Sequence, residues 1–576
     1  MEKTETPKKK NDSLISFLRN FKLLTGSVIV LSIAVNVLTL LIPKINSRII
    51  DSLQSGNYNR DEGLMLFLGV TTIILALTLI QGFLSSVTAE KIAAELRRQL
   101  INKISRQSFK YVNTVGSSKL LTNLTADVDA VKQFINQGIV FAFAAVVQLI
   151  GSIIILLSLN WRLAIPILLT IPILGISFGY IFSKIEAYFT KAQEVIDKLN
   201  RVINESIVGS ALVRVLNARS FETKKFVVVN EEAQGIGTKI VIGFAGLFPL
   251  INIVVNTSFL IVLGYGGSQV IDKTLSAGDF SAFFSYIFIF IFPIIMLGFL
   301  AGNIGRAFAT YKRLKEVIDS EEPDVNGTIS KEIEGDIELK NVTLELENKA
   351  ILEDINFHIK PKSRVGIIGP TAAGKTQIFY LITGLIKQNS GEILIDGKPV
   401  EDYDRDKLYS QMGMVFQDSI IFNTTLRENI AFRNENMSEE TIWKAIETAE
   451  LKDFVDTLPK GLDEKISERG SSLSGGQKQR LTLARALALN PKILLLDDFT
   501  ARVDINTEKK IFANLQKNYP EITIIAITQK IKSIEDFDNI ILVMEGELIA
   551  TGKHEQLLKK SLEYQQIYNS QQRTEE

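Results

Sequence analysis

Six stretches of this chain run without a single charged side chain: residues 23–43, 64–89, 133–161, 163–183, 241–271 and 280–305. A bilayer core offers no water to backbone N–H and C=O groups, so a helix must satisfy them internally and needs roughly 20 apolar residues to cross. Each of the six runs reaches that length. Buried helices of soluble proteins give such runs singly, not six in series, so the sequence predicts an all-α transmembrane bundle of six helices. Beyond residue 320 the composition becomes that of a soluble protein. The chain has 576 residues, and single cores stop growing near about 250–300 residues, so a second domain is required.

Basic residues set the orientation. Lys8, Lys9, Lys10, Arg19 and Lys22 precede the first run and place the N-terminus in the cytoplasm. Residues 90–132 and 184–240 carry eight and nine Lys/Arg, whereas the connections after the third and fifth runs offer only Arg162 and Lys273. The two basic segments are therefore cytoplasmic, and their length and periodicity predict spans that continue as helices below the bilayer. Expected tips lie at 112–118, where Gly116 and Ser117 break the pattern, and at 212–221. A charged helix over 311–319 follows the last run, and Glu321-Glu322-Pro323 with Asn326-Gly327 reads as a linker. The expected division is a membrane domain over 1–319, a linker over 320–333 and a soluble domain over 334–576. The first apolar run is too long for a cleaved signal peptide, which points to a multi-pass protein of the plasma membrane with its soluble domain in the cytoplasm.

Composition excludes several functions. Lys and Arg number 64 and so do Asp and Glu, which leaves no overall electrostatic case for nucleic acid. The absence of cysteine removes disulfides and thiolate metal sites. Only two histidines occur, His358 and His554. The uncharged spans suit hydrophobic or amphipathic cargo rather than ions. Their polar residues, among them Asn36, Gln148, Asn252, Asn256, Tyr286 and Asn303, are expected mainly to bond between helices. Pro249 and Pro293 are candidate kinks.

In the soluble part, the short apolar strand 365–368 runs into Gly369-Pro370-Thr371-Ala372-Ala373-Gly374-Lys375-Thr376, with a helix behind it. This is a phosphate loop: the glycines let backbone N–H groups close around phosphates, Lys375 reaches the β/γ oxygens and Thr376 offers a hydroxyl to Mg²⁺. Further on, Leu473-Ser474-Gly475-Gly476-Gln477 opens a second helix, an anion-binding helix start. A buried strand then delivers Asp497 and Asp498.

These motifs, in this order and spacing behind six spans, resemble an ABC transporter of the half-exporter type. Phe416-Gln417-Asp418 matches the family's glutamine loop, and 466–470 resembles the segment that meets the coupling helices. The resemblance implies an α/β P-loop ATP-binding cassette that uses ATP and Mg²⁺ and works as one of a pair of cassettes enclosing two nucleotides head to tail. Asp497, Thr376 and Gln417 would hold Mg²⁺. Ser474, Gly475, Gly476 and Gln477 would act on nucleotide held by the partner subunit.

Several positions depart from that family. Asp498 stands where the family usually places the Glu that acts as general base, and it is about 1.5 Å shorter. Gln529 stands where a His contacts the γ-phosphate, and neither His358 nor His554 can replace it. The loop Thr500-Ala501-Arg502-Val503-Asp504 departs from the usual Ser-Ala-Leu-Asp, and Leu346 replaces an expected adenine-stacking aromatic. With the signature intact, the combination predicts the degenerate-site subunit of a heterodimeric exporter of hydrophobic or amphipathic compounds, lipids or peptides. A homodimeric exporter or lipid flippase with slow turnover, and a nucleotide-sensing regulator of a membrane partner, are the alternatives.

Overall fold

The computed structural model describes residues 13–56, 60–322, 327–346, 349–432, 434, 436–467 and 470–575. Lys8, Lys9 and Lys10, Pro323 and Asn326 of the expected linker, and Glu468 and Arg469 of the 466–470 segment lie outside them. The chain forms two compact units: residues 1–105 with 116–320, and 106–115 with 321–576.

The first unit is helical. Its principal helices are Lys22–Gln54, Arg60–Ser105, Ile139–Leu168, Thr170–Val208, Arg219–Ala245 and Ala277–Ile318. The second spans 46 residues, about 70 Å at 1.5 Å per residue and far beyond the hydrocarbon thickness, so extensions past the bilayer follow from length alone. Among the described residues, Leu14–Gln54, Asp61–Ser105, Ser117–Leu168, Arg219–Ile271 and Ala277–Ile294 are long and apolar enough to cross a membrane. The remaining run, 163–183, begins at a break inside Ile139–Leu168. Asn160 is extended there (φ −159°, ψ 104°), and its Oδ1 accepts from the Leu163 N–H at 3.2 Å, the geometry of a residue capping a new helix. That helix passes Leu169 and continues as Thr170–Val208.

Interhelical hydrogen bonds tie the unit together. The Tyr286 hydroxyl donates to the Leu40 carbonyl at 2.7 Å, and Gln148 donates to Asn36 at 2.7 Å. At one end, Asp51 accepts from Ser276 at 2.8 Å and from the Gly278 N–H at 2.7 Å. Gly278 is needed for that approach, because a Cβ would stand 2.0 Å from the Ser47 carbonyl. Ala277–Ile318 continues through Pro293. Pro249 falls in the first turn of Leu247–Ile261, where its missing N–H costs nothing. The expected tip at 112–118 is a short helix, Phe109–Val115, ended by Gly116 at φ 84°. The expected tip at 212–221 contains the end of Ser210–Val215 and the start of Arg219–Ala245.

The second unit contains two sheets. Strands β1 (Ile337–Leu346), β2 (Lys349–Ile359), β4 (Ser390–Ile395) and β5 (Lys398–Pro399) form an antiparallel sheet in the order β2-β1-β4-β5. Strands β3 (Arg364–Ile368), β6 (Met412–Val415), β7 (Ile493–Asp497), β8 (Thr523–Thr528), β9 (Asn539–Met544) and β10 (Glu547–Gly552) form the other, in the order β10-β9-β3-β8-β7-β6. β3, β6, β7, β8 and β9 run parallel. Alternate residues of β7 feed opposite layers: Leu494 and Leu496 join one apolar cluster, Ile493 and Leu495 the other. Burial on both faces explains why these strands read as continuous apolar runs.

Candidate nucleotide site

In an open parallel sheet, ligands gather beyond the carboxyl ends of the strands. Here β3, β8, β7 and β6 are consecutive neighbours, and their ends release the phosphate loop, Gln529, Asp497-Asp498 and Gln417 toward one place. A cleft of about 280 Å³ there is lined by Thr371, Ala372, Ala373, Gly374, Lys375 and Thr376, together with Gln417, Asp497, Asp498 and Gln529. The order explains how residues far apart in sequence meet, since β8 sits between the phosphate-loop strand and the carboxylate strand.

The loop geometry demands its glycines. A Cβ at Gly369 would stand 1.9 Å from the Val543 carbonyl oxygen. Gly374 is left-handed at φ 87°, and a Cβ there would meet Ile351 O at 2.9 Å. Ala372 is also left-handed at φ 67°, a strain of roughly 1–2 kcal/mol for an L-residue. The Lys375 ammonium, only 8% exposed, donates to the carbonyls of Gly369 at 2.8 Å and Pro370 at 2.6 Å. Burial lowers its pKa, while Asp498 and Asp497 oppose that shift.

The two carboxylates differ in environment. Asp497 is 2% exposed and accepts from the Thr376 hydroxyl at 2.9 Å. Burial raises its pKa, the Thr376 hydrogen bond pulls it down and the charge on Asp498 adds to the rise. Asp498 is left-handed (φ 44°, ψ 34°), and its N–H donates to the Ile527 carbonyl at 2.9 Å. That bond ties the turn after β7 to β8. Burial raises the Asp498 pKa, and Lys375 and Lys530 draw it back.

The donor set fits Mg-nucleotide. Thr376, Asp497 and Gln417 present oxygens to one cleft, the chemistry a hard cation takes when phosphates complete its shell. Among the described residues no group of three or more His, Cys, Asp or Glu could hold a metal ion; Thr376, Asp497 and Gln417 would hold one together with the ligand's phosphates. Leu346 and Ile351 both pack against the core, and of the two Ile351 is the one that lines the cleft.

The signature stands apart. Ser474, Gly475, Gly476 and Gln477 are absent from the cleft lining. Ser474 caps the helix Gly475–Leu487: its hydroxyl accepts from the Gln477 N–H at 3.2 Å, and the Gln477 side chain accepts from the Ser474 N–H at 2.8 Å. Both glycines make room for Arg502. A Cβ on Gly475 would lie 3.1 Å from the Arg502 side chain, and one on Gly476 would lie 2.9 Å from its carbonyl.

Sequence reasoning missed Gln571. On the last helix, Leu562–Glu575, it donates to the Gln529 carbonyl at 2.6 Å and accepts from the Ile531 N–H at 2.9 Å. It thereby braces the segment that carries Gln529 from both sides. Lys530, whose charge acts on Asp498, was also missed. Adjacency to Gln529 was the only available signal.

Models of known families match this chain over residues 25–294, the ABC transporter transmembrane region, and over 352–501, the family described as ABC transporter. The uncharacterized ABC transporter ATP-binding protein YfiB of Bacillus subtilis is 32% identical over 97% of this chain and 98% of its own length. The chain belongs to the ABC transporter family. Among ABC relatives, the probable multidrug resistance protein YheI of Bacillus subtilis is 28% identical over 96% of both chains. The ATP-dependent lipid A-core flippase of Syntrophus aciditrophicus is 28% identical over 85% of this chain and 82% of its own. In fold, the chain matches a bacterial Atm1-family ABC exporter solved with ATP bound, at a TM-score of 0.77 and 22% identity over 96% of this chain and 98% of that one. It is thus a multi-pass ABC transporter with an exporter-like fold, a helical membrane domain followed by an α/β ATP-binding domain, and transport coupled to ATP.

Proposed function

We propose that this ABC protein is the weak-site subunit of a heterodimeric exporter, carrying hydrophobic or amphipathic compounds with a partner half-exporter that performs most of the hydrolysis. One observation carries this reading: Asp498 and Gln529 occupy the cleft with an intact phosphate loop, while the intact signature lies outside it. Phosphoryl transfer rests on positioning and charge. The loop amides, Lys375 and Thr376 are placed to bind, but a base one bond short and a neutral Gln529 are poorly placed to orient an attacking water. Mg²⁺, held by Thr376, Asp497 and Gln417, would neutralise phosphate charge there.

Ser474, Gly476 and Gln477, turned away from their own cleft, are available to nucleotide on the partner. Relatives named as a lipid A-core flippase and as a probable multidrug resistance protein support an amphipathic cargo in general. The test is ATPase activity of this chain purified alone and with its partner. Slow turnover alone and fast turnover together are expected. Full-rate turnover by the chain alone, abolished by Asp498→Asn, would falsify the assignment.

A further inference from the structure

Within the membrane unit, a cavity of about 470 Å³ is walled by five carboxamides: Asn36, Gln81, Asn136, Gln137 and Gln148. None of the described side chains lining it is charged. From Gln137 to Gln148 the wall climbs eleven residues, about 16 Å at helical rise, so the cavity reaches from the cytoplasmic end of the third run toward mid-bilayer.

Part of this polar wall is spent internally. Asn36 donates to the Ser32 carbonyl at 2.7 Å and accepts from Gln148 at 2.7 Å, and Asn136 accepts from Ser85 at 3.0 Å. Gln81 is different. It is only 6% exposed, it lines the cavity, and among the described residues it has no hydrogen-bond partner. A carboxamide offers two donor hydrogens and two acceptor lone pairs, and here they open on the cavity with no side chain to bond, ready for a guest. Its presence points to a partner that enters the cavity.

The wall also dictates the chemistry of that partner. An ionised headgroup would lose its water and meet no counter-charge among the described residues of this wall, Arg306 belonging instead to an adjoining pocket that shares Gln137 and Phe141. A neutral group that both donates and accepts hydrogen bonds would find carboxamides at every height, with Phe141 and Phe292 beside them for an apolar tail. We propose that this cavity binds a neutral amphiphile whose headgroup is rich in hydroxyls or amides, and discriminates against cationic and phosphate-bearing ones. This inference rests on the exporter reading and names its substrate class. Glycosyl headgroups and peptide amides share the required chemistry.

The experiment uses the full chain with its partner in phosphatidylcholine vesicles and follows ATP-dependent movement of four probes. Two are neutral, tail-labelled monoglucosyldiacylglycerol and a tail-labelled N-acyl dipeptide amide. Two are charged, ethidium and tail-labelled phosphatidylglycerol. At least one neutral probe is expected to move about 10-fold or more faster than either charged one, the discrimination of a single hydrogen bond or better. Which neutral probe moves assigns the source, lipid headgroup or peptide.

Gln81→Leu, and separately the more exposed Gln137→Leu, should raise the half-saturating concentration of that probe about 10-fold, with nucleotide binding as the check on folding. Charged probes carried as fast as neutral ones, or neutral-probe transport indifferent to both substitutions, overturns the inference. ATP-dependent movement of no probe overturns the exporter reading itself.

Discussion

Asp498→Glu is the substitution that most directly weighs the short carboxylate. It adds one carbon–carbon bond, about 1.5 Å, to a side chain whose backbone is fixed by the bond from its N–H to Ile527 O at 2.9 Å. Since β7 and β8 hold that turn in place, the added length translates into reach. A misplacement of about 1 Å costs on the order of 10²-fold in rate, so restoring reach should lower the barrier by about 2.7 kcal/mol. The opposing term is conformational. Position 498 is left-handed (φ 44°), a region that Asp tolerates better than Glu, so the variant should lose up to about 1 kcal/mol of stability. That loss falls on the fold rather than on the barrier. The assay is phosphate release at saturating ATP by this chain joined to a partner whose own general base has been removed, so that turnover reports this site alone. A rise on the order of 10²-fold is expected, with a further rise when Gln529→His is added. Unchanged turnover with intact nucleotide binding in both variants refutes the assignment of Asp498 to the base position.

Three further outcomes can be measured on the same preparation. Ser474→Ala should lose a helix cap, about 1 kcal/mol, and also cripple steady-state ATPase of the pair, whereas Lys375→Ala should do less; equal collapse would indicate two equivalent sites. Gln571→Ala removes both bonds that brace residues 529–531, so amide exchange at Ile531 should accelerate about 10-fold, the equivalent of a bond worth about 1.4 kcal/mol, and protection equal to wild type would deny Gln571 that role. Glu508 is 3% exposed, and among the described residues its carboxylate oxygens have no well-formed hydrogen bond, Ser533 giving only a weak contact. Burial raises its pKa above 4.5, against Ser533, Lys530 and Lys509. A raised folded pKa means that wild-type stability is fullest below 4.5 and declines as pH rises through the raised value. Glu508→Met should therefore stabilise the ATP-binding unit by about 1–3 kcal/mol at pH 7.5, a gain that shrinks on acidification toward 4.5. A pH-independent gain would place the effect in packing instead.

Much of this architecture is legible in the sequence because the physics behind it is local. A bilayer imposes length and the absence of charge on each crossing, so the six runs stand out without any tertiary knowledge. A phosphate loop imposes glycine where a Cβ would collide, and Gly369 and Gly374 occupy those places. Asn160 carries a readable signal as well, a capping residue just before a helix. What could not be read depends on contacts formed late in folding. Gln571 reaches Gln529 across 42 residues, and nothing in the polar helix Leu562–Glu575 distinguishes it from its neighbours. Ile351 enters the cleft because β2 pairs with β1 in a register containing bulges, which pattern alone does not give.

The two halves of the proposed role are mechanically joined. Arg502 lies in the loop that departs from the family pattern after Asp498, and its N–H donates to the buried Gln479 of the signature helix at 3.2 Å. Its side chain and carbonyl occupy the space left by Gly475 and Gly476. The loop that follows Asp498 therefore helps to set the position of the signature helix start, which in the proposed role serves the partner. The capping box of Ser474 and Gln477 is complete, so in the proposed role the packing that presents the signature stands intact beside Asp498 and Gln529. A chain relieved of all nucleotide chemistry would have no reason to keep that packing. A chain that serves its partner's site would.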